Sequence, residues 1–534
     1  MSSELRIRSL FAMPTLDIPP LKRIQCLGAF FPQWNLYKRL CDKTGKDIIS
    51  VFRPDCPYPV WHKDEWFKNA NPPKAVFDSN QLFFPQAETL FKQCPIPHNS
   101  GATNENCEYT DDWWQSKNCY LSHTGLWCKD SRYLYRTIRC NNSCYAVFST
   151  ECEQSIDVIH CEKCYAIVYW IYLKDCQHCS FCYDCRNCSD CLFSCNLRNK
   201  RYCIANKQLS REQYEYQKLQ FDFSTPAGYQ RNKYHFKKMM QEIAWHRSQY
   251  QDLCENSKWN YLWSTHNLEC AFFCNPAVED GYNIVRWGWS KTLLDVVNFQ
   301  DVERIYLSSG IQIKSYDIRC SFQLTEAHFI DYSAYSAQIE NCFGCCGLVR
   351  AKNCIFNKAY STQEYSTLKD RIIDHMKSTG EWWQFFPGSF APNPYNESWS
   401  SFYFPLTESQ QSEAWFFFLY PTEKHNISYL SIEHLPQSAA EATEEVTRQT
   451  YWDEVAQRPF QILAQDINFC RDLGVPLSST YYMRRIQENF RWMPYDGALR
   501  TTTCAKSGKE IQTSWPSEYD GRILSEEEYL KMVG

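Results

Sequence analysis

Between Cys176 and Cys195 the chain reads CQHCSFCYDCRNCSDCLFSC, seven cysteines of which the first six recur at every third residue. A period of three belongs to neither regular element. On a strand, successive thiols would alternate between opposite faces. On a helix, each step of three drifts about 60° around the axis, so a run of six scatters. The run is therefore expected in short corners, where successive thiols converge or stack.

The chain has 534 residues and 30 cysteines, enough length for several cores and no need of disulfide staples to replace one. Its start, MSSELRIRSLFAMPTLDIPPLKRI, shows no apolar stretch of the kind that directs export, and runs such as AWFFFLY (414–420) are too short to span a bilayer. The expectation is a cytoplasmic chain with no membrane association, whose thiols stay reduced as metal ligands or small buried apolar groups. Aromatics at 16% argue for packed structure, and a net charge of −5 excludes a global electrostatic footprint for nucleic acid.

Internal repeats organise the rest. CDKTGKDIIS (41–50) matches CAKSGKEIQT (504–513), and the register continues so that Val60 falls on Ile523 and Trp66 on Tyr529. In the middle, CLFSCNLRNKRYCIANKQLSREQY (191–214) matches CFGCCGLVRAKNCIFNKAYSTQEY (342–365). In each copy a serine is followed three residues later by Gln213 or Glu364, the spacing of a capping box, so a helix is expected after each. Recurrent CY pairs at Cys119, Cys144, Cys164 and Cys182 suggest coils of about twenty residues.

The expected fold is mainly β: a Cys-rich β-solenoid in two blocks, each followed by a helix, with small degenerate zinc-ribbon-like α+β modules at both termini. The segments are an N-terminal module (1–70), a first block (71–218), a helical connector (219–260) and a second block with its helix (261–380). An aromatic, Pro-rich wrapping segment (381–435), an acidic linker (436–450) and the C-terminal module (451–534) follow.

Three readings of the thiols stand open. They stack as interior packing; or they hold zinc, with Cys161, Cys164, Cys176 and Cys179 as a CxxC…CxxC set; or Cys185, Cys188, Cys191 and Cys195 hold an iron–sulfur cluster at ferredoxin-like spacing, with Asn196 where proline is usual. His160 and His178 lie beside cysteines and could complete a mixed site. Thr44 and Ser507 stand at the second ligand position of zinc-knuckle turns, so a full ligand set cannot be assembled around Cys504, and around Cys41 it would have to draw on Cys26, Cys56 and His62.

The ordered phrases LYKRLCDKTGKDIIS, LRNKRYCIANKQLSREQY, IIDHMKSTGEWWQFFP, YNESW and LGVPL…CAKSGKEIQT resemble a family of cysteine-rich proteins abundant in candidate-phyla (Patescibacteria) bacteria. The resemblance covers nearly the whole chain and implies knuckle-bearing termini, from which this sequence departs at Thr44, Ser507 and STYYMRR (479–485). It implies architecture and no activity.

No HExxH, GxSxG or GxGxxG motif occurs, and no catalytic residue is assigned. The expectation is a scaffold or binding protein whose partner is another protein or a further copy, with Trp113, Trp114, Trp382 and Trp383 as exposed anchors, alongside Trp287 and Trp289. Redox or electron carriage through an iron–sulfur cluster is one alternative. The other is single-stranded RNA binding by the modestly basic N-terminal module.

Overall fold

The computed structural model describes residues 20–32, 35–150, 153–255, 323–407, 428–491 and 499–534, with residues 409–410 and short strand backbones between 259 and 316. The chain forms two compact units that interleave along the sequence. Residues 1–100, 249–419 and 495–499 make one, and residues 101–248, 420–494 and 500–534 make the other. Each terminal module thus belongs to the same unit as a solenoid segment remote from it in sequence.

In the second unit an eleven-stranded sheet runs from Gly101–Ala102 to Lys207–Gln208. Up to the hairpin that closes it, its strands are parallel and in register at an offset of twelve residues, as in Glu108 opposite Tyr120 and Val158 opposite Trp170. One residue in three takes a positive φ, among them Asn118 (53°), Asp130 (49°), Tyr133 (56°), Asn187 (52°) and Asp190 (53°). Each coil is therefore a square of three-residue sides with a left-handed residue at every corner. That conformation costs an L-residue about 1 kcal/mol or more. It persists because each corner is tied to the coils beside it: Asn118 N–H donates to Glu105 O, and Lys117 N–H to Cys128 O.

The residue after each corner points inward, so the interior carries four columns of side chains spaced by twelve in sequence. Cys128, Cys140, Cys164, Cys176 and Cys188 belong to one column, and Cys179, Cys191 and Cys203 to the next. Cys176, Cys179, Cys182 and Cys185 occupy all four sides of one coil. Sides of three residues leave a narrow bore, which favours small groups; Ser116, Ser122, Ser131, Ser143 and Ser194 share these positions. Where the bore admits Trp113, the next coil carries Gly125, at which a Cβ would lie 2.1 Å from the Trp113 ring.

The thiols and hydroxyls make the same contact. Cys Sγ and Ser Oγ atoms along the bore donate to the carbonyl two residues back, as Cys179 does to Gln177 O (3.3 Å) and Ser194 to Leu192 O (3.0 Å). The serine oxygens also accept the N–H one coil later, as Ser116 Oγ does from Cys128 N–H (2.9 Å). Most polar atoms in the bore are thereby satisfied, with Ser155 Oγ and Trp113 Nε1 the exceptions among the described residues.

The first unit contains a nine-stranded and a three-stranded sheet. Its ladder resumes the twelve-residue offset at Leu324 opposite Ser336, after steps one residue longer at Val302 opposite Ser315 and Gly310 opposite Gln323. The extra residues change the phase, so the inward positions become Ser333, Ser336, Cys342, Cys345 and Cys354. Both repeat copies end alike. Cys191 pairs with Cys203 and Cys342 with Cys354, and each last strand folds back through an antiparallel hairpin. The hairpin turns are Ala205–Asn206 and Phe356–Asn357, all with positive φ, the signature of a type I′ turn. Folding back pairs an edge that would otherwise recruit other strands. Helices Arg211–Lys218 and Thr362–Ser378 follow, and both expected capping boxes form, Ser210 with Gln213 and Ser361 with Glu364.

The terminal modules repeat one another bond for bond. Cys41 N–H donates to Lys46 O and Cys504 N–H to Lys509 O; Asp42 N–H donates to Val60 O and Ala505 N–H to Ile523 O. In each, a short strand pairs in parallel with a segment beside the solenoid, Val60–Trp61 with Ile96–Pro97 and Ile523–Leu524 with His246–Arg247.

Two expectations are corrected. The coil is twelve residues and not about twenty, because CY pairs mark irregularly chosen coils whereas every side contributes one inward residue. The segment 436–450 is not a free linker: Ala439, Ala442 and Val446 are buried, and Arg471 donates to Ala439 O (3.0 Å). Its small residues are there to pack. Among the described residues no helix is long and apolar enough to cross a membrane.

Candidate functional site

Cys176, Cys179, Cys182, Cys185, Cys188 and Cys191 form a closed network in which each thiol touches the next around the coil and those in the coil above. Burial, followed by the contact with Cys179, pushes the Cys182 thiol well up; burial does the same to Cys185. One column over, burial raises Cys128 to about 11. The described cysteines are free thiols. Among the described residues no three His, Cys, Asp or Glu side chains gather as a metal site requires.

The expected ligands separate on inspection. Cys164, Cys176, Cys179, Cys185, Cys188 and Cys191 all line the bore. Cys195 falls out of phase and outside that core, where it receives Asn206 Nδ2–H (3.5 Å). The ferredoxin-like set therefore does not converge on one point. The side chain of Cys161 lies outside the described residues, and His178 stays on the outer surface against Tyr165.

The knuckle turns hold single thiols. Burial opposes ionisation of Cys504, but the Ser507 hydroxyl and the N–H groups of Ser525, Ser507 and Lys506 outweigh it and bring the thiol down to about 6. Cys41 is lowered in the same way, against burial, by Thr44 and the N–H of His62. Thr44 and Ser507 thus stabilise as hydroxyl donors the sulfur whose second ligand partner they replace.

The expected tryptophan anchors are mostly occupied with packing. Trp113 is inside the bore at 0% exposure, and Trp382 is buried against Phe343 and Tyr332. Trp114 is half-buried and donates to Asp112 (2.9 Å); Trp383 is half-buried against Trp382. Trp287 and Trp289 lie outside the described residues. The exposed tryptophan of the described solenoid is Trp127 (44%), which donates to Gln115 (2.6 Å) and lies under Arg139 (5.1 Å). Gln115, Trp127 and Arg139 are one corner row, legible in the sequence only once the period is twelve.

Of the four corner rows in the second unit, two are covered. The first holds Tyr133 and Tyr145 beneath helix Tyr482–Phe490 and, further along, Tyr169, Phe181 and Phe193 beneath helix Pro226–Glu242 through Tyr229, His235 and Phe236. The second, the row of Asp184 and Asn196, lies under the C-terminal module, where Asn196 donates to the Tyr529 hydroxyl (3.5 Å). The other two stay open, the row of Gln115, Trp127 and Arg139 and the row of Asn106, Asn118, Asp130 and Asn142. Asn106 Nδ2 donates to Asn118 (2.9 Å) and Asn118 Nδ2 to Asp130 (2.7 Å).

Beside this row stands helix Ala464–Leu473, fastened to the solenoid by a buried ion pair. Asp466 accepts from Arg132 Nε, from the Tyr133 hydroxyl (2.8 Å) and from Leu463 N–H (3.0 Å). Burial and then Asp466 hold the Tyr133 hydroxyl well above the usual range, so it remains a donor. Row and helix enclose a groove of about 690 Å³, with Glu108, Tyr120, Gln465, Asn468, Phe469 and Asp472 completing its walls. The sequence marks no residue of this groove as functional; Cys119, which lines it, is legible only as a repeat marker.

No protein-family model, curated protein or solved structure matches this chain.

Proposed function

We propose that the chain is a non-catalytic binding or scaffold protein built on a cysteine-rich β-solenoid. Two Cys-rich blocks, each ending in a helix, stand with terminal modules derived from zinc ribbons that keep the knuckle turn on a single thiol. The observation that carries this reading is the division of the solenoid surface. Helices and the C-terminal module cover aromatic and buried rows, while the rows of Trp127 and of Asn118 run open from coil to coil. Solenoids use such repeated faces for recognition. The partner on the Trp127 row is another protein or a further copy, met inside the cell where the thiols remain reduced. Zinc in the central run is a structural addition to this reading and not its basis.

Sedimentation of the wild type against Trp127→Ala tests it: association with a partner or copy is lost while the melting temperature holds. Metal analysis and thiol titration of anaerobically purified protein test the core. Thirty reduced thiols without metal leave packing as their role, and zinc that disappears with the Cys161–Cys195 thiols makes the scaffold metal-stabilised. Iron with sulfide would replace the scaffold reading by redox chemistry.

A further inference from the structure

The groove between the Asn106–Asn142 row and helix Ala464–Leu473 has a chemistry of its own. One wall offers three amides and a carboxylate at successive coils, the strand spacing of about 4.8 Å setting their repeat. The facing wall offers the amides of Gln465 and Asn468 and the carboxylate of Asp472. The one guanidinium that reaches the groove, on Arg132, is committed to Asp466. Among the described residues the side chains of Asn142, Gln465, Asn468 and Asp472 make no hydrogen bond or ion pair, so they face the groove unspent.

An amide both donates and accepts, and so does a hydroxyl; a carboxylate accepts only. A ligand of cations would use the carboxylates and leave the amide donors of Asn142, Gln465 and Asn468 unmatched. An anion would meet three carboxylates and no free cation. A chain of hydroxyl groups satisfies every side chain present. Tyr120, half-buried in the wall, adds apolar ring surface against which a flat, partly apolar unit can lie. We infer that this groove binds a neutral linear oligosaccharide along the solenoid axis, its hydroxyls paired with the amide and carboxylate row on one side and with Asn468 and Asp472 on the other. The inference rests on the chain being a binding protein, and it places the ligand on a different face from Trp127.

Calorimetric titration of the full chain with cellohexaose, chitohexaose and mannohexaose, with hexalysine as the cationic counterpart, tests it. At least one of the sugars binds saturably and with little dependence on salt. Asn142→Ala and Asn468→Ala, exposed and on opposite walls, each weaken it about tenfold, the worth of one hydrogen bond left unmade, with unchanged melting. Absence of binding by all three sugars overturns the inference, as does binding that survives both substitutions. Binding of hexalysine alone, lost with salt, also overturns it and makes the groove a cation site. A partner found through Trp127 beside a silent groove removes this inference alone and leaves the proposed function standing.

Discussion

The coil of Trp113 and the coil of Cys176 fill the same square bore in opposite ways. At the first, one indole is admitted because the next coil supplies Gly125 and no side chain at all. At the second, four thiols enter from four sides, and none is larger than its neighbour. The difference teaches that the quantity held constant along the bore is volume, set by sides of three residues, and that cysteine is there for its size as much as for its sulfur. Close-packed interiors tolerate such exchanges only when the total is conserved.

The largest effect expected follows from breaking the first solution. Gly125→Ala drives a methyl into the Trp113 ring and costs about 3 kcal/mol, the upper end of overpacking. Adding Trp113→Leu recovers most of it, so a chemical-denaturation cycle over the pair shows strong coupling. Additive losses would detach the glycine from the tryptophan. At the thiol coil Cys182→Leu adds volume with no compensating gap and costs about 2 kcal/mol by the same measurement.

Acid and alkali sharpen the contrast. Burial lowers His123, in the coil that follows Trp113, to about 4, and lowers His246, against Tyr183 near the thiols, to about 3. For a depressed imidazole the unfolded state binds the extra proton. Stability is present above about 6.5 and falls as pH drops toward the folded values. Acid thus loosens both regions. Alkali separates them by degree, since the first coil holds one buried thiol, Cys119, and the second holds four: Cys182 is raised by burial, so its contribution is complete below the unfolded thiol value of about 9 and lost as pH rises beyond it. Hydrogen exchange above that pH opens amides of the 176–187 coil before those of the 113–125 coil; the reverse order refutes a protonated thiol core.

The smallest change is the most discriminating. Cys179→Ser keeps a donor to Gln177 O, the contact interior serines already make, and costs about 1 kcal/mol or less in thermal melts. A loss several times larger, accompanied by released metal, returns the central run to ligation.

Parts of this were legible in the chain and parts were not, for reasons that particular residues show. The repeat of Cys191–Tyr214 in Cys342–Tyr365 predicts its own geometry, down to the capping boxes, because a cap depends on residues three apart. The paired terminal modules were visible for the same reason. The coil length was not, because CY pairs suggested twenty while the row of Gln115, Trp127 and Arg139 joins residues twelve apart with no common letter, and the asparagine row of Asn106 and Asn118 is broken at Asp130. Trp113 looked like a surface anchor, since nothing local reveals that the residue twelve positions on is a glycine beneath it.

The sequence by itself determined the period of three, the small inward residues and the capped helices, all of them consequences of neighbours along the chain. Only the tertiary structure decided which corner rows stay open, that residues 436–450 pack as support, and that helix Ala464–Leu473 faces an amide row across a groove. Those depend on Arg132 reaching Asp466 and on coils stacking in register. Such pairings lie far apart in sequence, and the spacing of residues along a chain carries no record of them.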